Sequence, residues 1–530
     1  MGACGRKKQE IGWLGELVRP EDNFRNLDRR MRRVFQKSHA LASFFFGLLL
    51  LAAFVSAQST PPPTSPVQQQ KAAGEGARAT QTQAPEEAEQ KISPQEAEEL
   101  FRSVDEILQF ASKDSSLPIK QPVKRTLTSR DQVVAYITKH MSEDEDAQRL
   151  RRSELVLKKF GLLPRDFDLQ TFLLALLREQ VAGYYDPKTK TVNLLDWVDV
   201  EQQRPVLAHE LTHALQDQSF GLEKWMKAGA GGPAANHGKD PTQADIESDE
   251  TAAARQAVVE GQAMVVLIDY MLEPTGQSLK DSPQIVEALK QGMLVGTADS
   301  IQFHNAPIYL KEALTFPYRY GIDFVADVLA KDGKEKAFAG VFTNPPRTTR
   351  EIMEPKTYLS GERLEAMRMP DLSKIFKSYE HFDSGAVGEF DVAVLIDQYA
   401  GSKASHDLYP HWRGGYYYAA RPKSNPDGAL GLLYVSRWSS PQESAEFAAI
   451  YARSLEKRYR RAHQNGDNRV KDLETLETLT GRHTWATEDG LVVIDVQGDT
   501  VMVTESLDEE VTKKMEQELF TASGGNGRTK

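Results

Sequence analysis

The chain has 530 residues, 40% hydrophobic and 27% charged, with a formal net charge of −11. That is enough apolar material for a substantial core, expected in two domains. Residues 1–57 carry ten Lys/Arg and five Asp/Glu, a net of +5, which leaves −16 for the rest. A surface that acidic argues against nucleic acid and anionic membranes as partners.

Residues 1–57 read as a signal-peptide region. Arg32, Arg33 and Lys37 precede an apolar run at 41–54, then Val55-Ser56-Ala57 before Gln58. A positive flank, a short apolar stretch and a small-x-small site are the marks of a cleaved export signal. The run is shorter than the roughly 20 residues that a membrane helix needs. The expected location is therefore secreted, periplasmic or cell-envelope. The alternative is an uncleaved segment that anchors the chain in a membrane at its N-terminus. Met31 opens a conventional signal on its own, so residues 1–30 are read as an over-extended start. The single cysteine, Cys4, precedes the cleavage site, so the mature chain is expected to use no disulfides.

Residues 58–92 are rich in Pro, Gln and Thr and read as a flexible linker. Ser93-Pro94-Gln95-Glu96 then looks like a capping box with proline at the first helical position. A helix follows to about Ser112, with Leu100, Phe101, Val104, Ile107, Leu108 and Phe110 at helical spacing. Further helices are expected at 130–140, 144–160 and 168–180. Val181-Ala182-Gly183-Tyr184-Tyr185, a turn at Asp186-Pro187-Lys188-Thr189, and Thr191-Val192-Asn193-Leu194-Leu195 read as a β-hairpin. Which of its strands lies at a sheet edge is not legible.

Next comes Val206-Leu207-Ala208-His209-Glu210-Leu211-Thr212-His213-Ala214-Leu215, in which Pro205 is placed to start a helix. Residues four apart share a helix face, so His209 and His213 can reach one ion. Imidazole is a good zinc ligand, and a catalytic zinc takes three protein ligands and a water. Glu210 adjoins the first ligand, where it can take a proton from that water. By composition alone the pattern arises in roughly one chain of this length in a hundred. The bland alternative is a helix with two surface histidines, and the apolar neighbours argue against it.

The third ligand defines the subclass. Gln216 and Ser219 stand where the metzincin continuation needs Gly and His, so that class is excluded. Glu223, Glu247, Glu250 and Glu260 remain. Glu247 and Glu250 lie in an acidic run that reads as a solvated helix start. Glu260 sits inside an apolar helix, where a carboxylate needs a cation. It is the expected ligand, with pairing to Arg255 as the structural alternative. Gly261 beside it permits a close helix approach. Asp217, one turn beyond His213, is a candidate to orient an imidazole or else a solvated aspartate.

Residues 227–243 read as a Gly-rich loop. Helices are expected at 284–295, 307–315 and 321–331. Tyr318, Tyr320 and His304 are candidates to stabilise an oxyanion, against a default of packing roles. From about Asp383 strands are expected near 416–420, 428–436, 484–487, 491–496 and 500–504. Helices are expected at 440–461 and 508–520.

His209-Glu210-Leu211-Thr212-His213 followed by Val259-Glu260-Gly261-Gln262-Ala263 resembles the gluzincin group, the thermolysin-like zincin superfamily of zinc metallopeptidases. The blocks Arg178–Asp186, Phe316–Gly321 and Asn344–Ile352 resemble uncharacterised secreted bacterial proteins that carry this motif. The resemblance covers roughly the middle of the chain. The spacing from His213 to Glu260 is longer than in thermolysin, whose Asn-Glu-x-x-Ser-Asp pattern is missing. It implies an α+β fold: a mostly helical zincin-like domain at 93–382 with a small β-hairpin or sheet, then a smaller α+β module at 383–521 and a tail at 522–530. It also implies Zn²⁺ on His209, His213 and Glu260, Glu210 as catalytic base, and a peptide or protein substrate. The competing expectation is a catalytically silent exported protein of this fold that binds a partner or envelope component.

Overall fold

The computed structural model describes residues 91–141, 144–179, 183–229, 243–281, 285–287, 300–364, 367–466, 469–470 and 472–523. The signal region, nearly all of the linker, the body of the 227–243 loop, most of the 284–295 helix and the tail from 524 on lie outside them. Among the described residues no helix is long and apolar enough to cross a membrane.

The fold is α+β. Helix α1 (Pro94–Ser115) opens with the expected capping box: the Ser93 hydroxyl accepts from Glu96 N–H, and Glu96 accepts from Ser93 N–H. Its buried face, Leu100, Val104, Ile107, Leu108 and Ala111, packs into the main core. After β1 (Lys124–Thr128) come α2 (Arg130–Met141), α3 (Asp144–Phe160) and α4 (Leu169–Glu179). The hairpin strands are β2 (Tyr184–Asp186) and β3 (Thr191–Leu195), paired antiparallel. β1, which the sequence pattern did not reveal, adds to β3 in parallel, so β2 and β1 are the two edges of a three-stranded sheet.

Helix α5 (Val200–Phe220) carries the histidine motif. It begins five residues before Pro205, capped by Asp199, whose carboxylate accepts from Glu201 N–H. Proline lacks only the one N–H that would have bonded within the second turn, and the helix runs through it. After the short α6 (Leu222–Gly229), the long α7 (Gln243–Leu272) crosses the core. The short α8 (Ile301–His304) then leads to α9 (Ile308–Asp332). The two helices expected at 307–315 and 321–331 are this one helix, with Pro317 buried inside it and Tyr318 and Tyr320 within its span.

Helix α9 crosses α7 at close range. A Cβ on Gly261 would lie 2.3 Å from the Gly321 carbonyl oxygen, and one on Gly321 would lie 2.4 Å from that of Ala257. The backbones touch, and only glycine permits it at these two positions.

Two short helices, α10 (Thr349–Met353) and α11 (Pro355–Ser360), lead to the C-terminal part. There a seven-stranded antiparallel sheet has the order β4-β5-β6-β10-β9-β8-β7. Its strands are Tyr379–Ala386, Trp412–Pro422, Gly431–Trp438, Ala462–Asn465, Gly481–Thr487, Gly490–Gln497 and Thr500–Glu505, numbered β4 to β10 in chain order. Helices α12 (Glu389–Ala400), α13 (Ser402–Leu408), α14 (Pro441–Arg458) and α15 (Glu509–Ser523) complete it. The first strand starts slightly before the expected boundary at 383, and α12 and α13 are additional to the elements read from sequence. This part is built onto the helices rather than hung from them. Ile246 of α7 packs with Tyr379, Tyr416 and Val435, and Phe160 of α3 stacks edge-on against Tyr417 and Tyr434. Buried Glu505 accepts from Arg458 and Tyr451, each at 2.7 Å, and Arg458 also donates to the Lys159 carbonyl.

Two outcomes follow. Gly261→Ala should lower stability by about 1–3 kcal/mol in denaturant unfolding, because the added methyl meets backbone; unchanged stability would contradict the close crossing. At the far end of α7, burial beside Asp114 pushes the Asp269 carboxyl from 3.8 up to about 7. The folded state therefore keeps a proton that the unfolded chain has released. That contribution is complete below about pH 4 and is lost as pH rises through 7. The gap in melting temperature between wild type and Asp269→Asn should shift in favour of the variant between pH 5 and pH 8. A constant gap would refute it.

Candidate metal centre

Positions 209 and 213 lie one turn apart on α5 and face α7, from which Glu260 projects. His213 Nε2 is 2.9 Å from His209 Nε2, and His209 Nε2 is 3.1 Å from Glu260 Oε2. His213 Nε2 to Glu260 Oε2 is 3.5 Å. A zinc–nitrogen distance of about 2.1 Å in a tetrahedral shell separates neighbouring donors by roughly 3.4 Å, and the three observed separations bracket that value. All three side chains are buried, and among the described residues this is the one cluster of His, Cys, Asp or Glu whose ligand atoms converge, within 4.8 Å of one another. Two facing imidazole nitrogens and a carboxylate oxygen, sealed from water, match the donor set of a zinc site.

Burial, reinforced by His213, pushes His209 down to about 4. Burial also opposes charge on His213, but Glu260 outweighs it and holds that imidazole up at about 9. Burial likewise disfavours the Glu260 carboxylate, and His213 outweighs it, holding the group down at about 2. The carboxylate of Glu260 and positive charge on His213 thus stabilise each other inside the core, an arrangement that would also favour a cation placed between them.

The supports around the ligands come from three directions. His213 Nδ1 lies 2.9 Å from the Gln216 amide oxygen, so a proton on Nδ1 is bound there and Nε2 is the nitrogen turned toward the cluster. Gln216 in turn donates to the Val259 carbonyl and to Gln262, and Gln262 donates to the carbonyls of Ala337 and Phe338. Gln256, one turn before Glu260, donates to its Oε1 at 2.6 Å. The Tyr318 hydroxyl hydrogen-bonds Glu260, and its ring lies 6.4 Å from that of His209.

Glu210 is buried on the neighbouring face. Tyr185 N–H donates to its Oε2 at 2.7 Å. Burial raises its carboxyl to about 7, against the opposing pull of His213 and the Tyr185 amide. Tyr185 is held a second time, by its hydroxyl on Asp217 at 2.8 Å. Glu210 and Asp217 lie two turns apart on one face of α5, so Tyr185 lays the edge strand β2 along the helix.

Several expectations change at this level. Asp217 orients no imidazole; it accepts from Tyr185, Lys190 and Leu222 N–H, and Gln216 takes the orienting role. Arg255 does not pair with Glu260; it donates to the Trp225 carbonyl and lies over the Trp225 ring. Glu250 is not solvated: it is buried and accepts from Thr349 N–H and hydroxyl, while Glu247 is exposed. Glu223 pairs with Lys227 on α6. Of the oxyanion candidates only Tyr318 reaches the centre. Tyr320 packs on Phe316, and His304 is exposed on α8. Gln216, Gln256 and Gln262 were missed from sequence. Their only mark there was polarity at inward positions of apolar helices.

Elemental analysis of the full chain should find about one zinc per molecule, and His213→Ala should lose it; stoichiometric zinc in that variant would contradict the ligand set. Gln216→Leu should keep the ligands and weaken zinc affinity about 10–100-fold by competition with a chelator. Unaltered affinity would remove Gln216 from the site.

Residues 377–516, the seven-stranded sheet with its helices, match a family described as a domain of unknown function (DUF8575). No curated protein matches the chain. No solved structure matches it either.

Proposed function

We propose that the chain is an exported zinc metallopeptidase of the gluzincin type, hydrolysing peptide bonds with Glu210 as general base. The observation that carries this reading is the placement of Glu210. A site that only braces the fold has no use for a buried carboxyl beside the metal ligands, held by a backbone N–H and poised near neutrality.

His209, His213 and Glu260 would hold the ion, and zinc there would supply Lewis acidity that lowers the pKa of a water to about 7 and polarises a carbonyl. The chain's own residues do the rest. Tyr185 N–H occupies Glu210 Oε2, which leaves Oε1 to take the proton of the attacking water. The same carboxyl then returns that proton to the departing amine. Gln216 and Gln256 hold His213 and Glu260 in the orientation required. Tyr318, hydrogen-bonded to Glu260 in the resting state, is the group available to donate toward a developing oxyanion. Action outside the cytoplasm rests on the apolar run at 41–54 and the small-residue site after it.

A second reading, a metal-stabilised binding protein without turnover, draws on the closure of the centre: His209, Glu210, His213 and Glu260 are only 0%, 4%, 3% and 2% exposed. The two readings part on one experiment. The full chain, loaded with zinc, is offered a broad peptide library with a chelator control. Cleavage that Glu210→Gln abolishes while retaining its zinc is the expected result; turnover at the wild-type rate by that variant, or no cleavage by wild type, would defeat the peptidase reading.

A further inference from the structure

A cavity of about 370 Å³ lies between α3, α7, α9 and the first elements of the C-terminal part. That volume is within the roughly 300–1,000 Å³ of small-ligand pockets. Its walls are mostly apolar, with Phe160, Phe316 and Phe390 among them. One end is acidic. Asp249, Glu250 and Asp391 line it, and among the described residues no lysine, arginine or histidine does.

The acids are placed, not incidental. Glu250 is fixed by Thr349, and a Cβ on Gly388 would lie 1.8 Å from its Oε1, so only glycine admits the carboxylate there. Gly388 N–H and the Tyr309 hydroxyl both donate to Asp391, each at 3.0 Å. Two carboxylates therefore flank one stretch of backbone at the end of an apolar chamber. Burial, then the charge of Asp391, raises Glu250 to about 8, and burial with Asp249 raises Asp391 to about 6. Groups so placed gain most from an incoming cation, and an apolar or acidic occupant would leave them dry and opposed.

The chamber shares a wall with the metal centre. Gln256 lines it and donates to Glu260, and Phe316 and Pro317 line it directly before Tyr318. We propose that this cavity receives the cationic, apolar-stemmed side chain of a bound peptide, lysine or arginine, and so selects the bond presented to the metal centre. This rests on the peptidase reading.

Binding, read apart from turnover, separates the two. Full-length Glu210→Gln is titrated with fluorescent peptides identical except for one position: lysine, arginine, norleucine or glutamate. The lysine and arginine peptides should bind about tenfold or more tighter than the norleucine peptide, with glutamate weakest. Asp391→Asn and Glu250→Gln, both close in shape to the native groups, should each erase most of that preference. Equal affinity for lysine and norleucine, or no binding of any peptide, overturns the proposal, as does a preference that survives both substitutions. If the preference is found and depends on the acids while wild type cleaves none of the peptides, the peptidase reading fails and the cation site stands.

Discussion

Four titratable side chains, His209, Glu210, His213 and Glu260, are withdrawn from water inside one core, and the rest of the structure is organised around making that tolerable. An isolated buried charge costs several kcal/mol, so each of the four needs a partner held in place. The partners are a backbone amide, glutamine side chains, a tyrosine and the ligands themselves. This pre-set geometry is what a metal centre requires, since ligands that already converge lose little freedom when an ion arrives.

Two helices carry the burden, and a chain of amides ties them. Gln216 on α5 and Gln262 on α7 bond each other, and Gln262 reaches the carbonyls at 337 and 338. Close by, Gly261 lets α9 touch α7 backbone to backbone, which brings Tyr318 within reach of Glu260. The sequence Val259-Glu260-Gly261-Gln262 thus combines a carboxylate of the buried cluster, a point of helix contact and a tie, on successive faces of a helix turn. Helix α1 contributes to the same core as these elements, so residues 94–115 are part of the scaffold that holds the site.

The C-terminal sheet stands in a similar relation to the helices. Thr349 and Arg350, adjacent in the chain, reach Glu250 of α7 and Glu389 of α12 respectively, the second at 2.8 Å. One short helix therefore holds both parts together at the rim of the acidic cavity. The C-terminal part supplies Asp391 and Phe390 to a chamber that is also lined by Gln256, the hydrogen-bond partner of Glu260.

Local pattern was enough for much of this. Helical spacing, a capping box and proline–glycine punctuation located α1 to α5 and most of the C-terminal strands, because each is encoded within a few residues. The motif His209-Glu210-x-x-His213 and the apolar setting of Glu260 pointed to the three side chains that converge in the core, since four-residue spacing and the cost of a lone buried carboxylate are properties of the chain itself. Tertiary structure decided the rest. The close crossing of α7 and α9 is made by glycines sixty residues apart (Gly261 and Gly321). The fates of Asp217, Arg255 and Glu250 depend on which distant groups arrive beside them: Tyr185, Trp225 and Thr349. A polar residue on an apolar helix looks the same in sequence whether it meets water, a ligand or a carbonyl, and only the packed fold brings the partner that gives it a role.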